Sequence, residues 1–202
     1  MQLGGKSYFW LEKTNVVSMI QEYQVSGFRV REYEELGSTN TEAERVGWSE
    51  LEDKMVILTY RQTQGRGQVG NHWESEPGKN ISMTVVFKPR ELPAGQQFAV
   101  SMVIALGACD FISRYVNECS VKWPNDIYVG DRKISGILIE HSIMGRYVGG
   151  SLCGIGVNIN QEQFLSDAPN PVSLFQLLGR ELPLQEVLEE LLECIGKRYE
   201  QI

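Results

Sequence analysis

Residues 61–80 limit the fold of this chain more than any other segment. They include four glycines, Gly65, Gly67, Gly70 and Gly78, and almost no aliphatic side chains. The runs on either side, 55–60 and 81–87, are apolar and favour strands. Because the segment between them lacks the apolar periodicity of a helix or strand, it predicts a long loop joining two strands. Loops of that length inside a compact domain are usually functional.

The rest of the chain mixes strand and helix patterns. Strands are expected at 28–33, 55–60, 81–87, 134–140 and 147–158, and helices at 11–24, 96–117, 173–179 and 184–199. Residues 38–41 offer helix N-caps, and the Gly130-Asp131 turn predicts a hairpin. This mixture favours an α+β fold with a mixed, largely antiparallel sheet backed by helices. No linker divides residues 1–202, so we expect one domain, with a core at about 28–180 and a C-terminal helical segment at 183–202.

Composition excludes several classes of function. The net charge of −7 argues against a broad nucleic-acid surface. No run reaches the roughly 18 uninterrupted apolar residues of a membrane helix, and the N-terminus lacks a secretory signal pattern. The four cysteines show no CxxC pairing and are joined by only two histidines, which favours free thiols over a zinc site. We therefore expect a cytoplasmic protein that binds neither nucleic acid nor membrane.

The glycine-rich loop contains one candidate anion site. Arg66 lies between Gly65 and Gly67, where backbone amides and a guanidinium can approach a carboxylate or phosphate closely. The loop does not have the GxxxxGK[ST] pattern of a nucleotide P-loop. A flexible surface loop with one solvated arginine is the simpler alternative.

Two later segments concentrate reactive side chains. Lys122-Trp123-Pro124-Asn125-Asp126 supplies a cation, an aromatic ring, an amide and a carboxylate within five positions. The segment 131–140 adds Lys133, which matters only if its strand carries it into a cleft. Without function, the first is an ordinary hairpin entry and the second an exposed turn.

A fourth segment, 154–160, alternates glycine with β-branched residues and ends in Asn158 and Asn160. This pattern suits a strand lying close against a ligand. A crowded sheet crossing would explain it equally well.

Taken in order, these segments resemble the catalytic domain of biotin–protein ligases. Members of that family carry a Ser-Thr-Asn opening, a GRGRxG loop ending in Trp, KWPND, a DRKxxGIL(V/I)E strand and a GxGxN strand. The resemblance covers roughly residues 33–173 and implies the class II synthetase-like fold of biotin and lipoate ligases. It implies that Mg·ATP activates biotin to biotinyl-5′-AMP, and that the biotin then passes to a lysine of a carboxylase's biotin carboxyl carrier domain.

The resemblance also implies roles for individual residues. Biotin would contact Ser38, Thr39, Asn40, Gln62, Gly65, Arg66, Gly67, Gln68, Lys133 and Gly136. The nucleotide would contact Trp73, Lys122, Asn125, Gly156 and Asn158. Arg66, Lys122 and Lys133 would be the catalytic cations, since carboxylate and phosphoryl oxygens meet during activation. Asp126 is the expected magnesium ligand.

The chain departs from the family pattern at Gln68, where members usually carry a second arginine. A neutral amide cannot make the same charge-assisted contact, so we expect a more loosely held adenylate. We also expect no N-terminal winged-helix domain, since only about thirty residues precede the resemblance, and at most a remnant of the family's C-terminal SH3-like domain. Homodimerisation through a sheet edge is an option that the family allows.

Two other functions remain open on the sequence. A lipoate or octanoate ligase shares the fold and the acyl-adenylate chemistry. A non-catalytic sensor of biotin or nucleotide would keep the cleft but not need the full set of cations.

Overall fold

The computed structural model describes residues 18–68, 70–166 and 169–202. Over these residues, eight strands form one sheet in the order β1-β2-β3-β6-β10-β9-β8-β7, and β4 pairs with β5 alone. The strands are β1 Met19–Val25, β2 Phe28–Tyr33, β3 Met55–Thr59, β4 Gly65–Arg66, β5 His72–Trp73, β6 Ile81–Phe87, β7 Cys119–Lys122, β8 Asp126–Val129, β9 Arg132–Met144 and β10 Tyr147–Val157. β2 and β3 pair in parallel, and the other neighbours pair antiparallel, which confirms the predicted mixed sheet.

Helices cover both faces of this sheet. They are α1 Thr39–Val46, α2 Phe98–Ile112, α3 Leu174–Leu178 and α4 Leu184–Tyr199. α2 and α4 pack on one face in the main apolar core, while α1 packs on the other face in a smaller cluster with Met55 and Ile57. Each fully buried aliphatic side chain contributes about 1.5–3 kcal/mol, so the larger cluster dominates the stability of the fold.

Side chains along β6 and β10 alternate between the apolar core on one face of the sheet and the polar residues on the other face. Met83, Val85, Cys153 and Ile155 point to the α2–α4 face, where all are buried. Their neighbours in the chain point to the α1 face because successive residues of a strand alternate. Those neighbours form cross-strand rows that match Ser82 with Gly156 and Gly136, and Thr84 with Gly154 and Leu138. In these rows the α1 face therefore carries mostly small and polar residues, whereas the α2–α4 face is apolar.

Helix α2 is strongly apolar. With the preceding 3₁₀ turn, Ala94–Ile112 is long and apolar enough to pass a length-and-composition test for a membrane span. In the fold it packs on the sheet beside α4 and buries Val100, Ile104 and Ala108, while Phe98, Met102 and Leu106 on its outer side are 40–46% exposed. Gly107 permits the close crossing, since a Cβ there would lie 2.7 Å from the Ile195 Cα. Its place in the core thus explains the apolar residues on the inner side of α2.

Three predicted elements differ in the structure. The helix expected at 11–24 is wrong for residues 19–24, which belong to β1, and positions 11–17 lie outside the described residues. The positive φ angles of Ser26 and Gly27 form a tight turn, so β1 folds back onto β2 as a hairpin. The helix expected at 96–117 is shorter, Phe98–Ile112, and the long loop contains the β4–β5 pair.

The four cysteines are free thiols. Cys153 and Cys194 are buried, whereas Cys109 and Cys119 are half-buried with their Sγ atoms 2.9 Å apart. Hydrogen bonding with Cys119 lowers the pKa of Cys109 to about 7, while burial raises the pKa of Cys153.

Candidate active site

A cleft of about 620 Å³ opens on the polar face of the sheet. Its floor is the glycine face of β9 and β10, and its walls are the start of α1, the glycine loop, the β7–β8 hairpin and the residues Phe164, Ser166, Pro169 and Pro171. All but one of the predicted site residues line this cleft, and the exception is Gly65. The lining residues that were predicted are Ser38, Thr39, Asn40, Gln62, Arg66, Gly67, Gln68, Trp73, Lys122, Asn125, Asp126, Lys133, Gly136, Gly156 and Asn158. Segments that are 120 residues apart in the chain thus meet in one cavity.

The glycine loop folds into a small hairpin over this floor. Gly65 pairs with Trp73 and Arg66 with His72, and the Gly67 amide donates to the Asn71 carbonyl at 3.0 Å. Gly65 lies behind the cleft, where a Cβ would collide with the Trp73 carbonyl oxygen. The hairpin therefore fixes Arg66 and Trp73 at the cleft, and Gly65 serves that packing.

Trp73 lies directly on the glycine floor. A Cβ on Gly136 would come 2.9 Å from the indole ring, and a Cβ on Gly156 would collide with it. The indole Nε1 is buried without a hydrogen-bond partner in the described part of the chain, and so is the Asn158 Oδ1. A buried polar atom without a partner is costly, so these two atoms beside a cleft are candidates for ligand contacts.

Arg66, Lys122 and Lys133 line the cleft, and each of the two lysines lies beside a protein partner. The Lys133 Nζ lies 2.8 Å from an Asp126 carboxylate oxygen and 5.8 Å from the centre of the Trp73 ring. The Lys122 Nζ donates to the Tyr128 hydroxyl at 3.3 Å and lies over its ring. Trp123, the aromatic of the same motif, is 77% exposed and does not line the cleft. The cations are thus oriented toward one space by short local contacts.

The side chains of the cleft can be compared with the ligands that the expected magnesium ion requires. No group of three or more His, Cys, Asp or Glu that could hold a metal ion occurs in residues 18–68, 70–166 and 169–202. Magnesium bound with nucleotides usually takes one or two carboxylates and completes its shell with phosphates and water. Asp126 fits that donor set as a single carboxylate, and it does not form a metal cage by itself.

A buried polar network links the Ser-Thr-Asn segment to the sheet. The Thr84 hydroxyl donates to the Asn40 Oδ1 at 2.6 Å and lies 2.8 Å from the Thr39 hydroxyl. The Asn40 Nδ2 donates to Glu140 Oε2 at 2.7 Å. Thr84 and Glu140 were not among the predicted residues, although a threonine in the apolar run 81–87 was a visible signal. The network holds the N-terminus of α1 over β6 and β9.

Glu74 ties the opposite rim to the glycine loop. Its carboxylate accepts hydrogen bonds from the backbone amides of Leu165 and Ser166 at 2.9 and 2.8 Å, and from the Gln161 side chain at 3.1 Å. Burial acts to raise the pKa of Glu74, but these hydrogen bonds outweigh it and lower that pKa below its usual value. Glu74 therefore stays ionised and holds the rim at neutral pH.

Comparison with known proteins identifies the family behind this geometry. Residues 33–158 match the model of the biotin/lipoate A/B protein ligase family. The chain belongs to that family. Those residues include the predicted site residues from Ser38 to Asn158 and the floor of the cleft.

Individual relatives of this ligase family are similar over most of the chain. The bifunctional ligase/repressor BirA of Bacillus subtilis is 27% identical over 182 residues, which cover 87% of this chain and 55% of that protein. The biotin–[acetyl-CoA-carboxylase] ligase of Paracoccus denitrificans is 29% identical over 171 residues, covering 82% of this chain and 70% of that protein. The chain spans about half the length of several curated relatives that it matches.

Among solved structures, the biotin protein ligase of Aquifex aeolicus in complex with biotin and ATP superposes with a TM-score of 0.71. It is 25% identical, and the match covers 85% of this chain and 70% of that one. The similarity confirms the predicted fold of a biotin and lipoate ligase catalytic domain.

Proposed function

We propose that this chain is an ATP-dependent biotin–protein ligase. It activates biotin to biotinyl-5′-AMP and transfers the biotin to a lysine of a biotin carboxyl carrier domain. The convergence of Arg66, Lys122 and Lys133 on one cleft carries this proposal. The similar proteins from P. denitrificans and A. aeolicus, a biotin ligase and a biotin–ATP complex, support it.

Activation joins two anions, so its main barrier is electrostatic. The biotin carboxylate must approach the α-phosphate of ATP, and pyrophosphate must leave with its negative charge. Fixed cations inside a partly enclosed cleft oppose that repulsion more strongly than water does. We assign Arg66 and Lys133 to the carboxylate and the reacting phosphoryl oxygens, and Lys122 to the phosphates. The contacts of Lys133 with Asp126 and Trp73 hold its Nζ in place.

The uncharged part of biotin needs donors and acceptors without net charge. We assign this role to the start of α1 and to Gln62, whose Oε1 accepts from the Thr39 amide at 2.9 Å. The ring of biotin carries a ureido group, which pairs well with hydroxyl and amide side chains. Asn40 supports this wall indirectly, because its amide is already engaged by Thr84, Glu140 and the Leu138 carbonyl.

Asp126 would hold magnesium that enters with ATP. Bound there, the ion would neutralise part of the phosphate charge. Trp73, Asn125, Gly156 and Asn158 form the nucleotide side of the proposal. The Trp73 Nε1 and the Asn158 Oδ1 have no partner in the part of the chain that the structure describes, and the nucleotide would supply one.

Transfer of labelled biotin to a carrier domain in the presence of Mg·ATP tests this function. The protein should label one lysine of the carrier, and Lys133→Ala should lower the rate by about a hundredfold, as loss of a transition-state charge contact does. Lys197→Ala is the matched control, since Lys197 is an exposed lysine of α4 paired with Glu193. It should transfer biotin normally.

Two results would overturn the proposal. Transfer of lipoate or octanoate, but not biotin, would make the chain a ligase of the other branch of the family. Binding of biotin without biotin-dependent exchange of pyrophosphate into ATP would make it a sensor.

A further inference from the structure

Arg66 is shared between two carboxylates. Its Nη2 lies 3.0 Å from Glu44 Oε1 and 3.0 Å from Glu140 Oε2. Glu44 comes from α1 and Glu140 from β9, so the guanidinium bridges these two elements at the edge of the cleft. Two negative charges around one positive charge leave little attraction for a third anion.

The two carboxylates are not equivalent. Glu140 is half-buried, also accepts the Asn40 Nδ2 at 2.7 Å, and is thereby connected to the Thr84 network. Glu44 is exposed on α1, and Arg66 is its one hydrogen-bond or ion-pair partner among the described residues. Moving Glu44 away from Arg66 breaks one exposed ion pair, whereas moving Glu140 also breaks its partly buried hydrogen bond with Asn40.

We infer that Glu44 competes with the anionic group of the substrate for Arg66, and that Glu140 is a positioning residue that keeps Arg66 directed at the cleft. The competing group is a carboxylate or a phosphate, because a guanidinium pairs with either in the same fork geometry. This inference rests on the proposed function, in which biotin and ATP supply the two anions.

The expected size of the competition follows from the exposure of the Arg66–Glu44 pair. Exposed ion pairs are weak, so removing the charge of Glu44 should tighten anion binding by about two- to fivefold. Added salt should reduce the difference, since exposed charges are screened. Removing the charge of Glu140 should have the opposite sign and weaken binding, because Arg66 and Asn40 lose their common anchor.

Calorimetric titration of the full chain tests this competition with three probes: biotin, a non-hydrolysable ATP analogue, and the uncharged methyl ester of biotin. Glu44→Gln should lower the Kd of biotin, of the ATP analogue, or of both, and should leave the Kd of the ester unchanged. A change with biotin alone identifies the carboxylate as the competing group, and a change with the analogue alone identifies the phosphate. Glu50→Gln is the matched control, because it removes an exposed charge just beyond α1 and away from Arg66.

Glu140→Gln should raise the Kd of the anion that Glu44→Gln tightens. A thermal melt checks that this variant folds. If it does not fold, the comparison of Glu44→Gln with Glu50→Gln still tests the competition for Arg66. The inference would be overturned if the wild type and Glu44→Gln bound both anions equally well. It would also be overturned if Glu44→Gln tightened binding of the ester as much as binding of the anions, or if Glu50→Gln tightened anion binding as much as Glu44→Gln does. A wild-type protein that binds neither biotin nor the ATP analogue would instead overturn the proposed function.

Discussion

The two faces of the central sheet use the same strands for opposite purposes. On the α2–α4 face, β6 and β10 present Met83, Val85 and Ile155, all buried in apolar contact. On the cleft face the same strands present Ser82, Thr84, Gly154 and Gly156. The first face is tightly packed. The second carries small residues and polar atoms, such as the Ser82 Oγ, that have no hydrogen-bond partner among the described residues. A substitution should therefore affect stability on one face and binding on the other.

The largest effect is expected on the packed face. Met83→Ala should lower the free energy of unfolding by about 3 kcal/mol, because it removes a fully buried side chain and leaves a cavity. Chemical denaturation measures the loss. The kcat/KM of the folded fraction should stay near the wild-type value. A fall in kcat/KM as large as the fall in the folding equilibrium constant would contradict the separation of the two faces.

The next effect is expected on the cleft face. Gly156→Ala should lower kcat/KM about thirtyfold, or about 2 kcal/mol, because the added methyl group collides with the Trp73 indole and displaces it. Gly95→Ala is the control, since a Cβ there meets no atom within 4 Å. Steady-state biotin transfer measures both variants. If Gly156→Ala had normal kinetics and a lower melting temperature, the cleft face would also contribute mainly to stability, which would contradict the comparison.

A smaller effect is expected at Gln68, a residue that lines the cleft. Gln68→Arg should slow the dissociation of biotinyl-5′-AMP about tenfold, or about 1.4 kcal/mol, because a guanidinium adds a charge-assisted contact. Release of preformed, labelled adenylate into excess unlabelled ligand measures this rate. Wild-type and variant proteins that release it equally fast would show that position 68 does not hold the adenylate.

The sequence predicted the cleft better than its internal contacts. The predicted residues lie together because their motifs sit at strand ends and turns on one side of the sheet, and a family pattern reports such positions directly. The pairing of Asn40 with Glu140 joins residues 100 positions apart, and that of Arg66 with Glu44 depends on how α1 faces the loop. Neither contact leaves a local pattern.

The error at residues 19–24 has a different physical origin. Their mixed polar and apolar composition allows a helix, and only pairing with β2 makes them a strand. Tyr23 and Gln21 both hydrogen-bond Glu32 across that pair, a contact that becomes available only once the hairpin has formed. Tertiary contact decides between the two structures where local propensity does not.

The indole nitrogen of Trp73 and the amide oxygen of Asn158, which have no hydrogen-bond partner among the described residues, also link occupancy of the cleft to the stability of the folded chain. Each polar atom that gains a partner on ligand binding removes a desolvation penalty from the folded state alone. By mass action, a ligand present at a hundred times its Kd stabilises a protein by about 2.7 kcal/mol. The supply of ligand in the cell would then set how long each copy escapes proteolysis as well as how fast it works.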